Sequence, residues 1–149
     1  MKQRTGSWVE IYSDGAYSHS RSVGGWAAVL RFNQHVKEIS GQVIDETTSN
    51  RMELQAVIEA LKALKKPCMV AVYTDSQYVQ KGISEWIKKW KRNGWRTAAK
   101  KPVINQDLWQ ELDQLRAAQT EVIWNWVRGH SGHPQNERAD FLANREANR

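Results

Sequence analysis

The chain has 149 residues, 40% of them apolar, and a formal net charge of +6, enough length for a substantial core in a single domain over residues 1–149. No apolar run nears the roughly 20 residues of a membrane helix, and the opening MKQRTGSW has no apolar h-region, so neither a membrane span nor a secretory leader is expected. The lone cysteine, Cys68, excludes an internal disulfide and, beside MVAVY, reads as a buried small hydrophobe; a reducing, cytoplasmic setting fits.

In chain order, WVEIY, GGWAAVLRF and HVKEISGQV read as three strands able to pair as a meander. From about Asn50 the period changes. Met52, Leu54, Val57, Ile58, Leu61 and Leu64 recur at three- and four-residue steps, which predicts an amphipathic helix ending near Lys66-Pro67. MVAVY at 69–73 is a continuous apolar run, as in a strand covered on both faces. Short helices are predicted at about 76–81 and 84–91, then a loop from Arg92 to Val103 broken by Gly94 and Pro102. A helix from about Asp107 buries Leu108, Trp109, Leu112 and Leu115. VIWNWV is the last strand, with Trp109, Trp124 and Trp126 read mainly as core, and Pro134 suits the first turn of a final helix. The order predicts an α/β fold: a five-stranded mixed sheet, an antiparallel meander plus parallel strands, flanked by helices.

The charge is localised. Lys81, Lys88, Lys89, Lys91, Arg92, Arg96, Lys100 and Lys101 face a single acid, Glu85, within 21 residues, while the rest of the chain nets close to zero. Trp86, Trp90 and Trp95 lie in the same stretch. Basic and aromatic residues interleaved in this way suit a polyanion with stackable surfaces, as against a plain solvated face.

Four acids stand out. Asp14 ends the first strand in IYSDG and Asp75 ends the buried strand in VYTDS, at the strand ends where ligands gather in open α/β sheets. Glu53 is expected in the first turn of the first long helix, and Asp140 in the last helix, one turn after Asn136 on the same face. Hard cations such as Mg²⁺ take a few carboxylates plus phosphate oxygens. Each acid also has an ordinary reading: Asp14-Gly15 as a turn, Glu53 as capping-box partner of Asn50, Asp75-Ser76 as a helix cap, Asp140 as a solvated helix residue.

Taken together, IYSDGA, TTSNRMELQAVIEAL, YTDSQYV, ISEWIKKWKRNGWRTAAKKPVINQDLW and WNWVRGHSGHPQNERADFLA closely resemble, in order and spacing, the bacterial type 1 class of ribonuclease H, from about Trp8 to Ala147. The resemblance implies a ribonuclease H-like fold and an endonuclease that cuts the RNA strand of RNA–DNA hybrids, leaving a 5′-phosphate and a 3′-hydroxyl. It implies Asp14, Glu53, Asp75 and Asp140 as carboxylate ligands of two Mg²⁺ ions, with Mn²⁺ as a substitute. His130, in GHSGH, matches the mobile-loop histidine that assists proton transfer, with Gly129 and Gly132 giving that loop freedom. The basic stretch, about 81–101, resembles the family's DNA-gripping handle, with Trp86 and Trp90 as channel aromatics. Lys88, Lys89, Lys91 and Arg92, and beyond them Arg96, Lys100 and Lys101, would supply phosphate contacts. Asn50 and Gln77 match positions that contact the hybrid near the cut, where the RNA 2′-hydroxyl can be read. Thr48 matches a position near a DNA phosphate. Tyr17 and Asn136 complete the expected substrate contacts.

The sequence departs from the family where a Pro- and Gly-rich loop usually follows the first Asp. Here DGAYSHSRSVGGW keeps the length but lacks the prolines, Ser20 stands where an Asn is usual, and Ser49 replaces the first Asn before Arg51. A mobile loop over 17–23 is expected, with Arg21 offsetting the missing Asn by reaching a phosphate. Two other readings share these features: a hybrid- or DNA-binding module, and another nuclease of the same fold, such as a junction resolvase or integrase core. A monomer without membrane association is expected.

Overall fold

The computed structural model describes residues 8–44, 47–128 and 133–149. Strand β1 (Trp8–Ser18) pairs antiparallel with β2 (Val23–Phe32), which pairs antiparallel with β3 (His35–Val43). The β2–β3 turn is two residues long, and Asn33, with φ 57°, supplies the left-handed conformation such turns need. Helix α1 (Ser49–Lys62) then carries the chain back, and β4 (Met69–Thr74) adds parallel to β1, with Trp8 opposite Met69 and Tyr12 opposite Tyr73. β5 (Glu121–Trp126) adds parallel to β4, so the sheet runs β3-β2-β1-β4-β5, the mixed sheet expected from the element order.

The two faces are covered by different helices. The apolar positions of α1 meet Ile11, Val70 and Val72, together with Trp109 and Leu112 of α4 (Gln106–Ala117), in the main core. On the other face Tyr12, Ala27 and Val29 pack against Ala139, Leu142 and Ala143 of α5 (Pro134–Ala147), which begins at Pro134 as expected. The buried carboxylate of Glu146 accepts from Ser40 Oγ at 2.7 Å, and Arg138 pairs with Glu38 at 2.7 Å, fastening α5 to β3. Among the described residues, no helix is long and apolar enough to cross a membrane.

Several expectations are corrected. Residues 17–23 are not a loop: β1 runs on to Ser18, opposite Val23, and only 19–22 turn. Pairing with Gly24 and Gly25 of β2 extends the hairpin past the last apolar residue, which periodicity cannot register. The guanidinium of Arg21 donates to the main-chain oxygen of Arg149. Helix α1 ends at Lys62, before Lys66, because the chain is capped by Ala63 and turns. Cys68 is half-buried rather than core. Trp126, expected in the core, is 40% exposed at the last position of β5, where its Nε1 donates to the main-chain oxygen of Asp75.

The two short helices form one rod. α2 (Gln77–Lys81) runs through a π-turn at Gly82–Trp86 into α3 (Ile87–Arg92). Gly82 lies under Trp109: a Cβ there would sit 2.0 Å from the indole Cη2. The wider π-turn rotates the residues after it about the rod. Gly82→Ala should therefore cost about 1–3 kcal/mol by overpacking, read as a lower midpoint in urea unfolding. An unchanged midpoint would show that Trp109 moves aside freely.

Candidate active site

After β1 the chain turns to β2 on one side, and after β4 it leads to β5 on the other. The carboxyl ends of β1 and β4 thus border the crevice where strand order reverses. Asp14 does not end β1 as expected, since the hairpin with β2 carries the strand on to Ser18; it lies two residues past the last pair of β1 with β4, Tyr12 opposite Tyr73, and Asp75 directly follows β4. The third acid arrives through a close crossing. A Cβ on Gly15 would lie 2.5 Å from Glu53 N and from Met52 C, so only glycine lets β1 pass this near to α1. Glu53 is consequently brought over Asp14, and one oxygen from each of Asp14, Glu53 and Asp75 lies within 4.8 Å of the others. Asp140, on α5, reaches the same cluster and hydrogen-bonds with Asp14.

Glu53 opens the second turn of α1 rather than lying in the first, and the cap of that helix is Thr48, whose side chain accepts from Arg51 N at 3.1 Å. Glu53 is therefore not the capping-box partner of Asn50. At the other strand end Ser76, not Asp75, caps α2, accepting from Val79 N at 3.1 Å. The ordinary readings of these two acids thus fall to their neighbours. Two supports were not legible in the sequence. Asn144 donates to Asp140 Oδ1 at 3.2 Å, and the exposed Trp126 donates from Nε1 to the Asp75 carbonyl at 3.2 Å. An asparagine four residues along a helix could have suggested the first.

The electrostatics follow from crowding. Asp14, only 8% exposed, has its carboxyl pushed up to about 8, first by burial and then by the charge of Asp75 and the hydrogen bond with Asp140; the Gly15 N–H, donating at 2.8 Å, opposes this. Burial, then Asp14 and Asp75, hold Glu53 well above the usual carboxylate range. Glu53 Oε2 is buried without a hydrogen-bond partner among the described residues. An orphaned carboxylate oxygen among acids that repel one another fits a hard divalent cation, which takes oxygen ligands and favours their ionised form.

The remaining expected contacts lie around this cluster. Ser49 and Asn50 open α1 and Gln77 opens α2, all three exposed. Asn136 sits one turn before Asp140, with Oδ1 buried and unpartnered among the described residues. Tyr17 packs edge-on against His19, and Ser20 is exposed in the turn, its hydroxyl 3.4 Å from that of Ser18. Trp86 and Trp90 are half-buried with ring centres 5.9 Å apart. Lys88, Lys89, Lys91 and Arg92 are exposed on the rod, Lys91 already paired with Asp113 at 3.1 Å. His130, Gly129 and Gly132 lie outside the described residues.

A pH dependence follows for the metal-free protein. The folded Asp14 keeps its proton up to about pH 8, whereas the unfolded chain releases it near 3.8. Between these values the folded state binds more protons, so stability is greatest at the acid end of the window and falls as pH rises toward 8. Asp14→Asn should flatten that fall and raise Tm at pH 8 in a chelator by about 3 °C or more. Parallel pH profiles of Tm for parent and variant would contradict it.

The chain is similar to several known proteins. A family model described as RNase H matches residues 6–148. A ribonuclease H of Cupriavidus metallidurans is 63% identical over 137 residues, covering 92% of this chain and 93% of that protein. A ribonuclease HI of Brucella melitensis is 60% identical over 135 residues, covering 91% and 86%. The crystal structure of a type 1 RNase H with the type 2 active-site motif superposes with a TM-score of 0.80 at 30% identity, covering 99% of this chain and 75% of that one. A foamy viral protease-reverse transcriptase in complex with an RNA/DNA hybrid shares the fold, with a TM-score of 0.76 at 21% identity over 99% of this chain and 21% of that one.

Proposed function

This chain belongs to the ribonuclease H family, and on that premise we propose that its Asp14–Glu53–Asp75 cluster, with Asp140, is where it hydrolyses the RNA strand of RNA–DNA hybrids. The observation that carries the assignment is the convergence of three acid oxygens within 4.8 Å at the carboxyl ends of β1 and β4. Two Mg²⁺ ions, or Mn²⁺ in their place, held by these acids would activate water and neutralise the leaving oxygen, giving 5′-phosphate and 3′-hydroxyl ends. Asp14 and Glu53 give up their protons to hold the cations. Asn50, Ser49 and Gln77, exposed at the N-terminal ends of α1 and α2, read the 2′-hydroxyls beside the cut. Thr48, Tyr17, Ser20 and Asn136 contribute further contacts around the cleft.

Trp86 and Trp90, with Lys88, Lys89, Lys91 and Arg92, take the DNA strand along the rod through stacking and phosphate contacts. His130 assists proton transfer and product departure. The protein works as a cytoplasmic monomer of one domain. A module that only binds hybrids would gain nothing from acids this crowded, because four carboxylates repel a phosphate backbone.

The test is a substrate panel with Mg²⁺ and with Mn²⁺: hybrid, duplex RNA, duplex DNA and a four-way junction. Only the hybrid should be cut, in its RNA strand. Asp14→Asn should lose about 10³-fold or more in turnover, the scale of several kcal/mol of charge stabilisation, while hybrid binding survives. Near-parental turnover of Asp14→Asn, or junction cleavage in place of hybrid cleavage, would overturn the proposal.

A further inference from the structure

We infer that Trp126 and Thr74 are positioning residues that clamp the main chain after Asp75 and so fix the direction of its carboxylate; the inference rests on the proposed metal-dependent hydrolysis at the acid cluster. An indole 40% exposed at a strand end adds little to the core, yet its N–H is aimed inward, Nε1 donating to the Asp75 carbonyl at 3.2 Å. The same peptide unit is held at its other end, where Ser76 N donates to Thr74 Oγ1 at 3.0 Å. The plane between Asp75 and Ser76 is thus gripped at both its oxygen and its N–H, and both grips are side chains.

The plane before Asp75 is fixed by the sheet. Thr74 and Trp126 form the last pair of β4 with β5, and Val127 N donates to the Thr74 carbonyl at 2.9 Å. The indole then adds one more rung, with a side-chain donor in place of an amide. Two fixed peptide planes on either side of one Cα leave its Cβ a single direction. Beyond the clamp, Ser76 is tied into α2, its Oγ accepting from Val79 N at 3.1 Å and its carbonyl from Gln80 N at 3.1 Å.

Among the four acids Asp75 is the one that needs such help. Asp14 sits within the β1–β2 ladder opposite Ala27, Glu53 lies in α1 and Asp140 in α5, so regular structure already fixes the main chain of each. Asp75 belongs to neither β4 nor α2. Its carboxylate oxygen lies within 4.8 Å of oxygens from Asp14 and Glu53, and like charges at that range repel. An acid on a free hinge would turn away; the clamp holds it in the cluster. Partners of this kind behind a metal ligand are worth about 10- to 100-fold in metal affinity or activity.

The test begins with Trp126→Phe, which keeps the ring and loses the N–H at an exposed site where folding should survive. Calorimetric titration of Mg²⁺ into the substrate-free protein should show a dissociation constant raised about 10-fold. On the hybrid, kcat should fall about 10-fold at low Mg²⁺ and recover at high Mg²⁺, with KM for the hybrid within about 2-fold of the parent. Thr74→Val removes the other grip and should weaken Mg²⁺ in the same direction, whereas Thr74→Ser keeps the hydroxyl and should hold near the parental value. Trp124→Phe makes the same exchange two residues earlier, against the main core, and should leave Mg²⁺ affinity unchanged. An unchanged Mg²⁺ affinity in folded Trp126→Phe, a rise in KM with Mg²⁺ affinity intact, or equal weakening by Trp124→Phe overturns the positioning role and leaves the ribonuclease reading standing. A parent that cuts no hybrid overturns that reading, and this inference with it.

Discussion

Acids held within 4.8 Å of one another, one of them nearly buried, repel and lose hydration together. A fold can keep such a cluster only if its backbone enforces the approach. Here the enforcement is the crossing of β1 over α1 at Gly15, where a Cβ would collide with the main chain of Met52 and Glu53. The resulting strain is electrostatic, and it appears as carboxyl groups that keep their protons far above the ordinary range. A divalent cation would relieve it; protonation is the alternative in its absence.

The remainder of the architecture holds that crossing in place. Parallel pairing of β1 with β4 sets Asp14 and Asp75 side by side, and α5 brings Asp140 from the opposite face of the sheet. The ion pair of Arg51 with Asp107 locks the start of α1 to α4. Trp109, packed against Gly82, carries the rod, so the packing that seats the aromatic residues continues into the core behind the acids. The proposed substrate grip and the acid geometry thus share one set of contacts, and a change in the core against the rod should be felt at both.

Much of this was legible in the sequence, for physical reasons. α1, α5 and the buried β4 announce themselves through periodicity and apolar content, and β3 through alternation. Aspartates at strand ends are visible as types in places. The hairpin through Ser18 was not legible, because Tyr17-Ser18-His19-Ser20 carries no apolar alternation and its pairing is decided by the partner strand. The π-turn was hidden because it depends on an indole 27 residues away fitting over Gly82. Trp126 misled because its place in the patterned strand VIWNWV suggested the core, whereas here it ends that strand and donates to the Asp75 carbonyl. That Asp14 and Glu53 meet is a tertiary fact, marked in the sequence only by the glycine that follows Asp14.

The proposed cation site holds protons when empty and gives them up to bind Mg²⁺. Calorimetric titration of Mg²⁺ into the protein at pH 7, in buffers of differing ionisation enthalpy, measures this directly. With Asp14 titrating at about 8, binding should release protons at pH 7, so the apparent heat should vary with the ionisation enthalpy of the buffer. Mg²⁺ binding with no buffer dependence at pH 7 would contradict the account.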